Sequence, residues 1–202
     1  MKNQKGFTLV ELMIVLAILA LLAAIIIFAL NPAQLFARAR DSQRMADLRA
    51  LTSAINYYLV ITSTPVLDGS AGTLCVGGSG NDTLWATYAG TITAPFVTWT
   101  ASTARGMDGT GWIKIAFSLT GETPLGSLPI DPKNAGAAGT PSTLYTFACD
   151  TNTGYEINAN LESTTYKGGE ATDGGDAVAV YEVGTVLTLL PTATSANWYP
   201  NN

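Results

Sequence analysis

No histidine occurs in the 202 residues. The commonest general base and the commonest metal ligand are therefore missing together, and an enzyme reading starts without its usual machinery. Cysteine is scarce as well: Cys75 and Cys149 sit in GTLCVGG and YTFACD, far from any zinc-type spacing. No phosphate-cradling glycine motif and no nucleophile beside a base stands out, so no catalytic residue is expected. Basic residues thin out along the chain. Residues 1–63 carry six Lys/Arg against three Asp/Glu, and residues 64–202 carry four against twelve. So acidic a body offers little to neutralise a phosphate backbone, and no direct nucleic-acid partner is expected. Arg38, Arg40, Arg44 and Arg49 stand among Asp41, Gln43 and Asp47 and read as a solvated helix face.

What the chain does have is one long apolar run. From Phe7 to Leu30 there is a single charge, Glu11, and neither Gly nor Pro. As a helix this run spans about 36 Å and clears a bilayer core. It is too long for an ordinary secretory signal, and no small-x-small cleavage site follows it. Lys2 and Lys5 place the N-terminus in the cytoplasm and the body outside, a bias that the Arg38–Arg49 cluster opposes. An acid inside such a span costs about 2.5 to 3.5 kcal/mol at its centre and less near the interface. Glu11 therefore calls for a partner or a task.

Asn31-Pro32 interrupts the run, since proline removes a backbone donor and kinks or restarts a helix. Beyond it, Leu35, Ala39, Ser42, Met45, Leu48, Thr52, Ile55 and Leu59 recur at steps of three and four, with the charged residues largely elsewhere. The spacing predicts one helix of roughly 55 residues, kinked near Pro32 and amphipathic in its second half. After Thr64-Pro65, short β-branched and aromatic runs alternate with turn residues. GWIKIAF, LYTFAC and GYEINANLE read as strands, DAVAVYEVG as a further one, and TLWATYAG and TAPFVTWTA as weaker ones. In GYEINANLE, Tyr155, Ile157, Ala159 and Leu161 alternate with Glu156, Asn158, Asn160 and Glu162, which predicts an antiparallel sheet with one wet face. The fold class expected is α+β: a long kinked N-terminal helix packed on an antiparallel β-sheet head.

The N-terminal residues also carry a resemblance. MKNQKGFTLVELMIVLAILALLAA resembles the class III leader and first helix of type IV pilins and of the pseudopilins of type II secretion: a short basic leader ending in Gly, then Phe-Thr-Leu-x-Glu-Leu and an unbroken apolar helix. That likeness implies a leader of residues 1–6, a helix over 7–63 whose first part (7–30) serves as membrane span and filament core, and a head over 64–202. It implies cleavage between Gly6 and Phe7 by a prepilin peptidase that also methylates the Phe7 amine. Gly6 suits such a cut because a residue without Cβ admits close approach to the backbone. It further implies that Glu11 pairs during assembly with the Phe7 amine of a neighbouring subunit, which would supply the partner a buried carboxylate needs. The implied partners are copies of the chain or pilin-like co-subunits, a membrane assembly platform, and the bilayer before assembly. The implied location is the inner membrane, head outside, and then a pilus or pseudopilus. A membrane-anchored extracytoplasmic binding module that never polymerises is the competing reading.

Two features of the head stay open. In an oxidising compartment Cys75 and Cys149 are expected to pair, the alternative being two buried thiols. Glu170, Asp173, Asp176 and Glu182 gather around glycines in KGGEATDGGDAVAVYE. Oxygen ligands on a flexible loop can hold calcium, and the resemblance to major pseudopilins, which bind it in their C-terminal region, adds weight. The spacing is not that of an EF-hand, and a solvated acidic turn is the competing reading. No other cofactor is expected.

Overall fold

A computed structural model describes residues 6–69, 74–75, 83–87, 98–121, 125–134, 136–137, 140–141 and 143–189. Two helices occupy the N-terminal part, α1 over Leu9–Leu30 and α2 over Pro32–Ile61. They meet at Asn31, whose φ of 42° is left-handed. Asparagine tolerates that region better than most residues, and Pro32 has no N–H to satisfy at the first helical position. The chain therefore changes direction with one residue between helices.

Over Leu9–Ile27, α1 buries none of its apolar side chains against the rest of the chain, and that stretch is long and apolar enough to cross a membrane. α2 is different. Leu48, Leu51, Ala54, Ile55 and Tyr58 are buried against the head, at the spacing of one helical face.

Strand β1 is Thr83–Ala86, β2 Thr98–Ala101, β3 Gly136–Ala137, β4 Thr140–Pro141, β5 Tyr145–Cys149, β6 Tyr155–Ala159 and β7 Tyr181–Gly184. The main sheet runs β2-β1-β5-β6-β7, and β3-β4 forms a separate ribbon. Four neighbouring strands, β1, β5, β6 and β7, are antiparallel, whereas β2 joins β1 in parallel at the edge, a departure from the wholly antiparallel sheet expected. In register, Phe147 faces Ile157 and Trp85 faces Phe147. Together with Tyr145, Cys149, Tyr155 and Ala159 they form the sheet side of the core that α2 covers. Trp85 and Phe147 tilt against each other at 5.7 Å, and Tyr58 meets Phe117 edge-on at 5.9 Å.

Three expectations need correcting. GWIKIAF forms no strand: it crosses the core as irregular chain ending in the 3-10 turn Phe117–Thr120, and Trp112 is buried along with Ile113, Ile115 and Phe117. Its hydrogen bonds explain why. The Trp112 N–H donates to the Ala104 carbonyl at 2.9 Å and its indole N–H to the Pro129 carbonyl at 2.8 Å, so loops rather than a neighbouring strand satisfy it. The outer face of β6 is not wet: Glu156, Asn158 and Asn160 are all buried. On that face the Leu189 N–H, beyond β7, donates to Glu156, and the loop Asp173–Ala177 bonds to Glu182 on the adjoining β7. Finally, the lower part of the α2 stripe is displaced. Leu35, Ala39 and Ser42 are exposed, and the buried positions there are Ala37, Asp41 and Arg44.

Candidate functional site

At the N-terminus the structure places Gly6, Phe7 and Glu11 together around the start of α1. Thr8 is the N-cap. Its N–H and its hydroxyl both donate to Glu11 Oε2 at 2.8 Å, and the Glu11 N–H donates to Thr8 Oγ1 at 3.2 Å. This reciprocal capping box satisfies backbone donors that helix geometry leaves open. Glu11 thus has a local use in addition to any pairing, and its carboxylate is held at the helix entrance. Among the described residues no cation pairs with it. Phe7 is almost wholly exposed, and a Cβ built on Gly6 would meet nothing within 4 Å. Among the described residues the Gly6-Phe7 junction is therefore exposed, next to a helix whose Leu9–Ile27 surface is not buried in the chain.

A second constellation, where α2 meets the head, escaped the sequence reading. Arg44 is fully buried and holds four contacts. Nε and Nη2 donate to Asp131 Oδ2 and Oδ1 at 2.6 and 3.0 Å, Nη1 to Asp41 Oδ1 at 2.8 Å, and Nη2 also to Glu162 Oε1 at 2.5 Å. Arg40 donates to both oxygens of Glu162 at 3.1 and 2.6 Å. The carboxylates hold backbone as well. Asp41 accepts the N–H groups of Glu162 and Ser163 at 2.9 and 2.7 Å, and Asp131 those of Lys133 and Asn134 at 2.8 and 3.0 Å. Arg38–Arg49 is therefore not simply a solvated face, because two of its four arginines clamp the helix to loops 87 to 122 residues away in sequence. Burial alone would lower the Arg44 pKa, but the Asp131 and Glu162 carboxylates outweigh it and hold the guanidinium charged. Burial opposes ionisation of Glu162 too, yet hydrogen bonds from Arg40 and Arg44 bring it down to about 2. The one signal available in sequence was Asp41 and Arg44 at a spacing of three, which puts both on one helix face.

The other candidate residues lie in the head. Cys75 and Cys149 are joined as a disulfide, tying the described pair Leu74–Cys75 to the end of β5. The four acids do not converge. Glu170 Oε1 accepts the Leu161 N–H, Asp173 accepts those of Gly175 and Glu182, Glu182 accepts that of Ala177, and Asp176 is exposed. Among the described residues no three metal-ligating side chains gather as a cation-holding group.

The family of the prokaryotic N-terminal methylation motif matches residues 1–27, the stretch that holds Gly6, Phe7 and the capping box. The type IV major fimbrial protein FimA of Dichelobacter nodosus is 34% identical over 142 residues, which cover 70% of this chain and 80% of that protein. The chain belongs to the type IV pilin family. No solved structure gives a significant match. For a pilin the two constellations divide the work: the α1 entrance presents the motif by which the family is recognised, and the Arg44 cluster fixes the helix that carries it to the head. A structural subunit, not an enzyme, is what this family membership describes.

Proposed function

We propose that this pilin is cut between Gly6 and Phe7, methylated on the Phe7 amine, and polymerised through α1 into a type IV filament. The observation that carries this reading is the state of α1 itself. It is a 22-residue apolar helix, headed by the methylation motif, whose Leu9–Ile27 stretch is nowhere buried against the head. Such a surface needs lipid or other helices. It has lipid while the subunit waits in the inner membrane with its head outside, and helices of neighbouring copies once it assembles. The description of FimA as a major fimbrial protein supports a pilus rather than a secretion pseudopilus.

Cleavage creates the cation that Glu11 lacks. The new amine at Phe7 belongs to a chain end, and Glu11 of the adjoining subunit is the acid that would receive it in a medium of low dielectric, where an unpaired carboxylate is expensive. Prepilin peptidase and a membrane assembly platform are the partners this route requires. Glu11→Ala is expected to leave processing intact and to lower filament yield in shear fractions viewed by electron microscopy. Intact mass of the purified subunit is expected to begin at methylated Phe7. Wild-type filament yield from the Glu11→Ala strain would refute the pairing role, and an uncut chain in a peptidase-competent host would refute the whole route.

A further inference from the structure

The sheet face turned away from α2 is dry, yet it is built from polar side chains. Thr146 on β5, Glu156 and Asn158 on β6 and Glu182 on β7 are all buried. Thr146 pairs with Asn158 and Asn158 with Glu182 across the ladder, while Glu156 lies opposite Gly184, one diagonal step from Glu182. Gly184 puts no side chain between the two acids. The loop Asp173–Ala177 closes over Glu182: the Ala177 N–H donates to Oε2 at 2.9 Å, and the Glu182 N–H donates to Asp173 Oδ2 at 2.7 Å. A Cβ on Gly175 would strike the Glu182 carboxyl, so only glycine lets the loop settle there. Glu156 receives the Asn158 amide at 2.9 Å on Oε1 and the Leu189 N–H at 2.7 Å on Oε2.

One atom of this arrangement is left over. Glu182 Oε1 is buried and has no hydrogen-bond partner. As part of a carboxylate it would hold negative charge out of water with nothing donating to it, which is costly. As the hydroxyl of a carboxylic acid it becomes a donor, and Glu156, whose oxygens have lone pairs to spare, can accept. We infer that Glu156 and Glu182 share one proton, with Glu182 neutral and donating Oε1–H to Glu156, and that this acid–carboxylate pair fastens the Asp173–Leu189 segment to the sheet so that rising pH releases it.

The charges around the pair agree in sign. Burial pushes Glu182 up to about 8, and Glu156 on β6 and Asp173 on the loop add to the rise, against the Ala177 N–H. From α2, Arg49 lines the same groove as Asp173 and Glu182 but forms no ion pair with Glu182. Glu170, earlier in the returning chain, is likewise pushed by burial up to about 7, with Lys167 opposing. For groups raised above the ordinary 4.5, the stabilisation is complete below the unfolded-state value and is lost as pH climbs through the folded-state one. The window of loss therefore opens near pH 4.5 and closes near pH 7 for Glu170 and pH 8 for Glu182.

The test uses the full chain in detergent micelles. The side-chain carboxyl carbon of Glu182, followed by NMR, is expected to titrate with a midpoint near 8; a midpoint near 4.5 overturns the inference. Amide exchange at Ala177 and Leu189, corrected for intrinsic base catalysis, is expected to lose protection by up to about tenfold per pH unit as pH rises from about 4.5 toward that midpoint, and to level off above it. Glu182→Gln, which keeps the shape and still donates to Glu156, is expected to hold its protection flat over the same range, and an undiminished fall in that variant overturns the assignment. So does a rise in protection on adding millimolar calcium at pH 7 that Glu182→Gln abolishes, since a metal ion and not a proton would then lie between the carboxyls. If the variant fails to fold, the wild-type titration still decides.

Discussion

Arg44 shows how much a single side chain can hold. It bridges its own helix at Asp41 to Asp131 and Glu162; the contacts to Asp41 and Asp131 are fully buried and that to Glu162 largely so. Removing one member of such a group leaves the remaining charges buried without compensation. Arg44→Ala is therefore expected to destabilise the folded chain by about 3 to 5 kcal/mol in urea unfolding, whereas Arg38→Ala, at an exposed position, should change stability little. Glu162 gives the same junction an acid limit. Its folded-state value near 2 lies below the ordinary 4.5, so its contribution is present above pH 4.5 and disappears as pH falls toward 2. A melting series from pH 5 to pH 2 should show a loss on the order of 3 kcal/mol that Glu162→Gln lacks. Both expectations concern residues that the sequence pattern places in solvent, Arg44 on a polar helix face and Glu162 on the wet side of an alternating strand.

The elements were legible to different depths, for identifiable reasons. α1, the break at Asn31-Pro32, and strands β5 and β6 followed from apolar length, proline chemistry and strict alternation. GWIKIAF alternates equally well, but alternation marks only which side chains want burial; Trp112 next to Ile113 and the loop carbonyls that bond it removed the ladder a strand needs. The same ambiguity hid the covered face of β6, because a buried glutamate that finds a partner looks in sequence just like a solvated one. The motif residues Gly6, Phe7 and Glu11 were readable as a short local pattern, while Asp131 and Glu162 were not, since only the fold brings them to Arg44. Gly184 is an element-scale case. A Cβ there would collide with the Tyr155 carbonyl and the Glu156 backbone, prising β7 from β6. Gly184→Ala is expected to speed amide exchange throughout Tyr181–Gly184 while leaving β5 protected, and unchanged exchange in β7 would refute that close approach.

At the scale of the whole molecule, two ties join helix and head, the apolar core under Leu48–Tyr58 and the Arg44 cluster below it, and a third, the disulfide between Cys75 and Cys149, staples the head itself. The bridge closes a loop with a sequence separation of 74. In the chain-entropy account this stabilises the fold by about 4 kcal/mol. Replacing both cysteines with serine is expected to lower the urea midpoint accordingly, and the wild-type chain under reducing conditions should approach the same value. The Asp173 carboxylate has a further consequence. A chain that meets its own copies at high local concentration risks zipping sheet to sheet, and an unpaired strand border is where such fusion begins. With the outward N–H of Glu182 already taken by Asp173, β7 denies a neighbour that rung, and crowded copies are steered away from sideways amyloid-like stacking.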